Sequence, residues 1–166
     1  MLQKKINSVT AKKQQINSFH SYKTMARIKL SFPEKMLGRI SIPVRITDVN
    51  YGNHVGNDSI VSIIHEARVA WLTTHQMSEM NIGRSSIIMN ELVVNYMQES
   101  FYGDILEVSI AVGEVSISGF ELYYRLDCTR ENKSITIAIA RTGIRCFDYQ
   151  LRKVCQVPKE IGRAHV

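Results

Sequence analysis

Between Thr47 and Asp58 the chain reads TDVNYGNHVGND, a run that holds one histidine, His54, among two carboxylates and three amide side chains. Histidine and carboxylates are the side chains that move protons near neutral pH, so the stretch is equipped for general acid–base chemistry. Asn50 is not part of that equipment, because an amide neither takes a proton nor attacks as a carboxylate at ordinary pH. Three acids are candidates for a base. Glu66 shares a helical stripe with Ser59 and Ser62, Asp58 stands where a helix begins, and Asp48 lies two residues before Asn50, on the same face if the strand continues that far. Each has a purely structural reading as well: Glu66 and Arg68 as surface or interface ion pairs, Asp58 as a first-turn residue favoured by the helix dipole, Asp48 and Asn50 as turn formers. His65 and His75 have no partner at metal-ligand spacing and read as surface or interface residues, and the scattered His, Asp and Glu residues match no zinc pattern. GNHVG has neither the Lys-Ser/Thr ending nor the glycine spacing of a phosphate-binding loop.

The elements that must position these residues follow from apolar periodicity. Residues 39–48, RISIPVRITD, alternate as a strand, and Pro43 marks an edge or a bulge. Ile60, Ile63, Ile64, Ala67, Ala70 and Trp71 recur at helical spacing, which predicts a helix from about Asn57 to His75, ~27 Å long, with Asn57 as N-cap. After a turn at 81–83, four β-rich runs follow: 86–97, 104–115, 120–130 and 134–148, with 154–157 as a short last piece. Consecutive strands joined by short turns predict an antiparallel sheet, and the single long helix must cover one face of it.

At 166 residues and 45% apolar content the chain has enough material for one domain with a core. No apolar run reaches the roughly 18 residues a membrane span requires. The net charge of +6 hints at nucleic acid, but five of those charges are the lysines of residues 1–24, a segment without acids; the remainder is near neutral and predicts no nucleic-acid partner. Residues 1–24 read as a disordered basic leader or an upstream extension, with Met25 as a natural start. Residues 160–166, EIGRAHV, are what a common sequencing adapter encodes, which leaves residues 25–159 as the single domain. Cys128, Cys146 and Cys155 are odd in number and lack C-x-x-C spacing, as expected of reduced thiols in the cytoplasm.

Asp48, Asn50, His54, Val55 and Asn57, followed by Glu66-Ala67-Arg68 and then by Tyr96, Gly103, Asp104, Leu106 and Val108, resemble the hotdog-fold thioesterases of the 4-hydroxybenzoyl-CoA and acyl-ACP types over about residues 39–157. The resemblance implies an α+β hotdog fold, an antiparallel β-sheet wrapped around one long central helix. It further implies a homodimer or homotetramer with the substrate, an acyl-CoA or acyl-carrier-protein thioester, at the subunit interface, and no cofactor beyond the coenzyme A of the substrate. Within it, the glycine-bearing loop that ends at the helix start would offer the Gly56 and Asn57 amides to a thioester carbonyl and to the oxyanion formed from it. Water would be activated by Glu66, ranked first, or by Asp58, with His54 polarising the carbonyl and Asn50 orienting water or substrate. Asn50 stands where many relatives carry a catalytic Asp, and Gly52 where the acyl-ACP enzymes carry an Asn. Two other readings therefore remain: an enoyl-CoA hydratase using Asp48 and His54, and an acyl-CoA-binding hotdog protein without turnover. Ile88, Met89 and Leu92 would line an acyl pocket or belong to the core, whereas Arg84, Arg141 and Arg145 are basic side chains to which no role is assigned.

Overall fold

The computed structural model describes residues 28–159; the proposed leader and the adapter-like tail lie outside them. Six strands form one antiparallel sheet: β1 Gly38–Pro43, β2 Ser86–Tyr96, β3 Ile105–Val115, β4 Gly119–Arg130, β5 Lys133–Asp148 and β6 Lys153–Val154. Their spatial order is β1-β3-β4-β5-β2, with β6 pairing β5. The helix α1, Asn57–Thr74, follows β1 in the chain, and its buried residues Ile60, Ile63, Ile64, Ala67 and Trp71 join one core with the sheet. Period-2 alternation supplies the other half of that core: Leu106, Val108 and Ile110 on β3, Leu122, Tyr124 and Leu126 on β4, Ala138, Ala140 and Ile144 on β5. Three register shifts, at Met89/Glu91, Val112/Val115 and Leu126/Asp127, give the long strands the local twist by which a sheet curls around a helix. This is the hotdog architecture.

Two sequence-based boundaries move. The first strand stops at Pro43 instead of running to Asp48, and Ile46–Asp48 is a single 3-10 turn. Its cause is local: Asp48 Oδ2 accepts the backbone N–H of Arg45 at 2.8 Å, closing the turn where a strand would have extended it. Asp48 and Asn50 accordingly do not share a strand face. At the far end, pairing in the last piece covers only Lys153–Val154, short of the 154–157 expected. The helix closes in a Schellman arrangement, with Met77 N–H donating to Leu72 O, Gln76 N–H to Thr73 O, and Gln76 itself at φ 58°.

β4 begins in close approach to β5. A β-carbon at Gly119 would collide with Ile144 O of the neighbouring strand, a backbone atom that cannot swing aside. Gly119→Ala is therefore expected to destabilise the protein by about 1–3 kcal/mol through forced separation of β4 and β5. Urea unfolding checks it, and an unchanged midpoint would show that the strands part without cost.

Candidate active site

Three segments meet at the start of α1. The first is the loop 49–56, closed on itself by an isolated bridge between Val49 and Val55 and by Asn50 N–H donating to His54 O at 2.9 Å. Inside it Asn50 Oδ1 accepts the N–H of Gly52 at 2.8 Å, an Asx turn. The second is the turn before β3. There Asp104 accepts Ser100 Oγ–H at 2.9 Å, Phe101 N–H at 2.8 Å and Arg130 Nη2–H at 2.5 Å, while Ser100 O accepts Val55 N–H at 2.8 Å. Gly103, at φ 90°, supplies the left-handed residue this turn needs. The third is the end of β2, where Tyr96 O–H donates to Asn57 O at 3.2 Å and so ties the sheet to the first helical turn.

Together these segments enclose a cavity of about 330 Å³ lined by His54, Asn57, Ile60, Tyr96, Glu99 and Ser100, among others. Tyr96 and Asn57 were already in the motif that carried the resemblance, whereas Glu99 and Ser100 had no signal in the sequence, being ordinary polar residues between two strands. His54 stands on one wall with its ring nitrogen Nδ1 3.2 Å from Val55 O and 3.5 Å from Asn50 Nδ2. These contacts demand opposite tautomers. Donation to Val55 O puts the proton on Nδ1, and acceptance from the Asn50 amide puts it on Nε2.

The helix start differs by one residue from the sequence-based expectation. Gly56 is the N-cap and Asn57 the first helical residue. Gly56 N–H donates to Asp48 O at 2.9 Å, so it is not free to hold a substrate carbonyl, and Val55 N–H is taken by Ser100. The first-turn amides beginning with Asn57 have no intrahelical acceptor and stand at the positive end of the dipole.

The acids separate clearly. Asp48 is buried and gripped by Arg45 through its backbone N–H and through Nε and Nη2, each at 3.1 Å. Burial pushes its pKa up, but the bonds and charge of Arg45 outweigh that and hold the carboxyl below its ordinary 3.8. A carboxylate so engaged is a fastener, which leaves the Asp48–His54 acid/base pair of the hydratase reading without a free acid. Glu66 is on the exposed face of α1, 3.8 Å from Arg45, and lines none of the cavities beside the helix. Asp58 is exposed at the second helical position with its carboxylate folded back over the N-cap: a β-carbon at Gly56 would stand 2.5 Å from Asp58 Oδ1. Its charge also reaches Tyr96, whose hydroxyl is raised first by burial and then by Asp58.

Outside the cavity, Arg141 is bound to Glu91 and Glu121 at 2.9 Å each. Arg145 lies 3.3 Å from Ser116 Oγ, and Arg84 is an exposed turn residue at φ 74°. Ile88, Met89 and Leu92 line a second cavity beside the helix. Among the described residues no group of three or more His, Cys, Asp or Glu side chains is placed to hold a metal ion, and no helix is long and apolar enough to cross a membrane.

Asp48, Asp104 and Glu79 each have a folded pKa below the ordinary value; in all three burial raises it and arginine partners lower it further. Groups with depressed folded values add stability that is present above the unfolded pKa and lost as pH falls through the folded one. Stability is thus expected to hold above about pH 5 and to decline below about pH 4, and Asp104→Asn to flatten part of that slope. Urea midpoints measured across this range check it; an identical slope in the variant would contradict the assignment.

A sequence profile of the thioesterase-like superfamily matches residues 44–164. No curated protein matches the chain at a significant level. Among solved structures, a 1,4-dihydroxy-2-naphthoyl-CoA thioesterase from Synechocystis superposes with a TM-score of 0.66 at 21% identity, over 76% of this chain and 93% of that one. The PA2801 protein of Pseudomonas aeruginosa gives 0.71 at 21%, over 80% and 100%. A thioesterase-superfamily protein from Jannaschia sp. CCS1 gives 0.69 at 13%, over 80% and 82%. At these identities the structural likeness establishes the fold.

Proposed function

Because the chain belongs to the thioesterase-like superfamily, we propose that it hydrolyses an acyl thioester of coenzyme A or of an acyl carrier protein to the free acid and the thiol. The observation that carries this reading is the cavity at the start of α1, where His54 and Asn57, the first helical residue, line one space. In the reaction a water oxygen attacks the thioester carbonyl carbon while the Asp58 carboxylate takes its proton. The oxyanion of the tetrahedral intermediate is held by the Asn57 amide and the positive end of the helix. Collapse breaks the carbon–sulfur bond, and Asp58 returns the proton to the departing thiolate. A carbonyl bound at His54 Nε2 selects the tautomer in which Asn50 donates to Nδ1, so an amide at position 50 serves to orient the ring. Neither acid is itself on the cavity wall; Asp58 is preferred to Glu66 here because its charge reaches Tyr96 on that wall, whereas Glu66 is paired with Arg45.

Thiol release with DTNB from short, long and aromatic acyl-CoAs tests the reading. Turnover that disappears in Asp58→Asn supports it. Absence of turnover on every thioester, with acyl-CoA still bound, would overturn it in favour of a binding protein. That second reading has one observation behind it, the Asn50 amide locked in its turn with Gly52. The binder predicts that Asn50→Asp creates hydrolysis, and the thioesterase predicts no gain.

We also place a second copy of the chain against β2. That strand has 11 residues and pairs only with β5, whereas the other edge, β1, is six residues long and ends at Pro43. Proline blunts an edge; a long strand with one edge open and with exposed Met89 and Tyr96 invites continuation of the sheet. Sedimentation equilibrium is expected to give a dimer or tetramer, and a monomer at micromolar concentration would refute the pairing. The three free thiols suit a reducing compartment, consistent with the cytoplasm.

A further inference from the structure

The second cavity, about 390 Å³, follows the same seam between α1 and β2, farther from the helix start. The helix runs away from the His54 site as β2 runs toward it, so Ile64, His65 and Arg68 face Ile87, Ile88 and Leu92 there. From Asp58 to Arg68 the axial rise is about 15 Å. About half of the wall is apolar; among its polar residues, beside Ser62 and Tyr149, stands one hydrogen-bonded cluster that includes a buried cation.

Arg68 is 5% exposed. Its Nε and Nη2 donate to Glu79 Oε1 at 2.7 Å, and its Nη1 stands 3.5 Å from Tyr124 Oη. Tyr124 Oη is 3.2 Å from Thr142 Oγ1, and His65 Nε2 is 3.1 Å from Glu79 Oε2. Burial lowers the Arg68 pKa, but Tyr124 and Glu79 more than offset this and keep it protonated. Burial likewise keeps the Tyr124 phenol neutral. A guanidinium has five N–H donors, and these bonds use three of them, one at the limit of range. The carboxylate of the cluster is occupied from both sides; the spare capacity is on the donor side, facing a cavity large enough for an acyl group. Water satisfies such donors while a cavity is open. An alkyl chain that expels the water leaves them buried without acceptors, and an oxygen at the same place does not.

Resting on the thioesterase reading, we propose that the acyl group of the substrate extends along α1 and carries a hydroxyl or keto oxygen toward its far end, where Arg68 and Thr142 receive it. Arg68 is then a specificity-determining residue about 15 Å along the helix from Asp58, and unoxygenated chains of the same length are the disfavoured substrates.

The test compares decanoyl-CoA with ω-hydroxydecanoyl-CoA on the full-length protein, on Arg68→Met and on the double variant Arg68→Met/Glu79→Gln, which removes both ends of the ion pair and so leaves no unpaired carboxylate. The wild type is expected to favour the hydroxylated thioester by about tenfold or more in kcat/KM, and the ratio to fall close to one in the variants. Equal kcat/KM for the two thioesters in the wild type, or a preference that survives in the double variant, would overturn the subsite while leaving thioester hydrolysis standing. No thiol release from any acyl-CoA would overturn the hydrolase reading and the subsite with it.

Discussion

Replacing Asn57 with proline is expected to lower kcat about 100- to 1,000-fold, the scale of losing one oxyanion donor, while the helix stays folded. Proline removes the N–H at position 57 together with the asparagine side chain. The first helical position is where proline is best tolerated, since its amide has no intrahelical acceptor to lose. The residue before it must be extended, and Gly56 already is, at φ −67° and ψ 153°. The carbonyl of residue 57 remains, so Tyr96 keeps its bond to the helix start. Asn57→Ala is the control, because it deletes the side chain and retains the amide. Steady-state kinetics beside thermal unfolding decide the matter: if proline and alanine cost the same, the amide holds nothing.

Asp58→Asn is expected to lower kcat about 100- to 10,000-fold, the range for removing a general base, with little change in stability. Asp58 is exposed, so its carboxylate forms no part of the core. Glu66→Gln is expected to leave kcat near the wild-type value, because it disturbs only the partly exposed pair with Arg45. The reverse ranking would return the base to Glu66, and equal activity in both would move attention to Glu99, a carboxylate that lines the cavity. Gly56→Ala gives an independent reading of the same geometry, since its new methyl must push the Asp58 carboxylate off the N-cap.

How much of this was legible beforehand depends on the range of the forces involved. The helix from Asn57 and the four long strands were readable from apolar periodicity, which is a local consequence of which face each element buries. The antiparallel sheet followed from short turns. The extent of the first strand was not readable: ITD alternates acceptably, and only the hydrogen bond from Arg45 N–H to Asp48 turns it into 3-10 geometry. The N-cap was misplaced by one residue because Asn57 is a good cap by type, while Gly56 takes the position after its own N–H is claimed by Asp48 O.

The site divides in the same way. His54, Asn57 and Asp58 are neighbours in the chain, so their grouping at the helix start was present in the order of residues. Sequence by itself determined the loop, the helix behind it and the sheet that covers the helix, because each follows from spacing over a few turns. Only the tertiary structure decided which amide is free, which acid is already bound, and that Tyr96, Glu99 and Ser100 close the cavity. It likewise brought Arg68, Glu79, Tyr124 and Thr142 into one cluster. Most of these partners are far apart in sequence, as Val55 and Ser100 or Arg68 and Tyr124 are, and even the local Arg45–Asp48 bond competes with strand extension, so no local pattern records the winner.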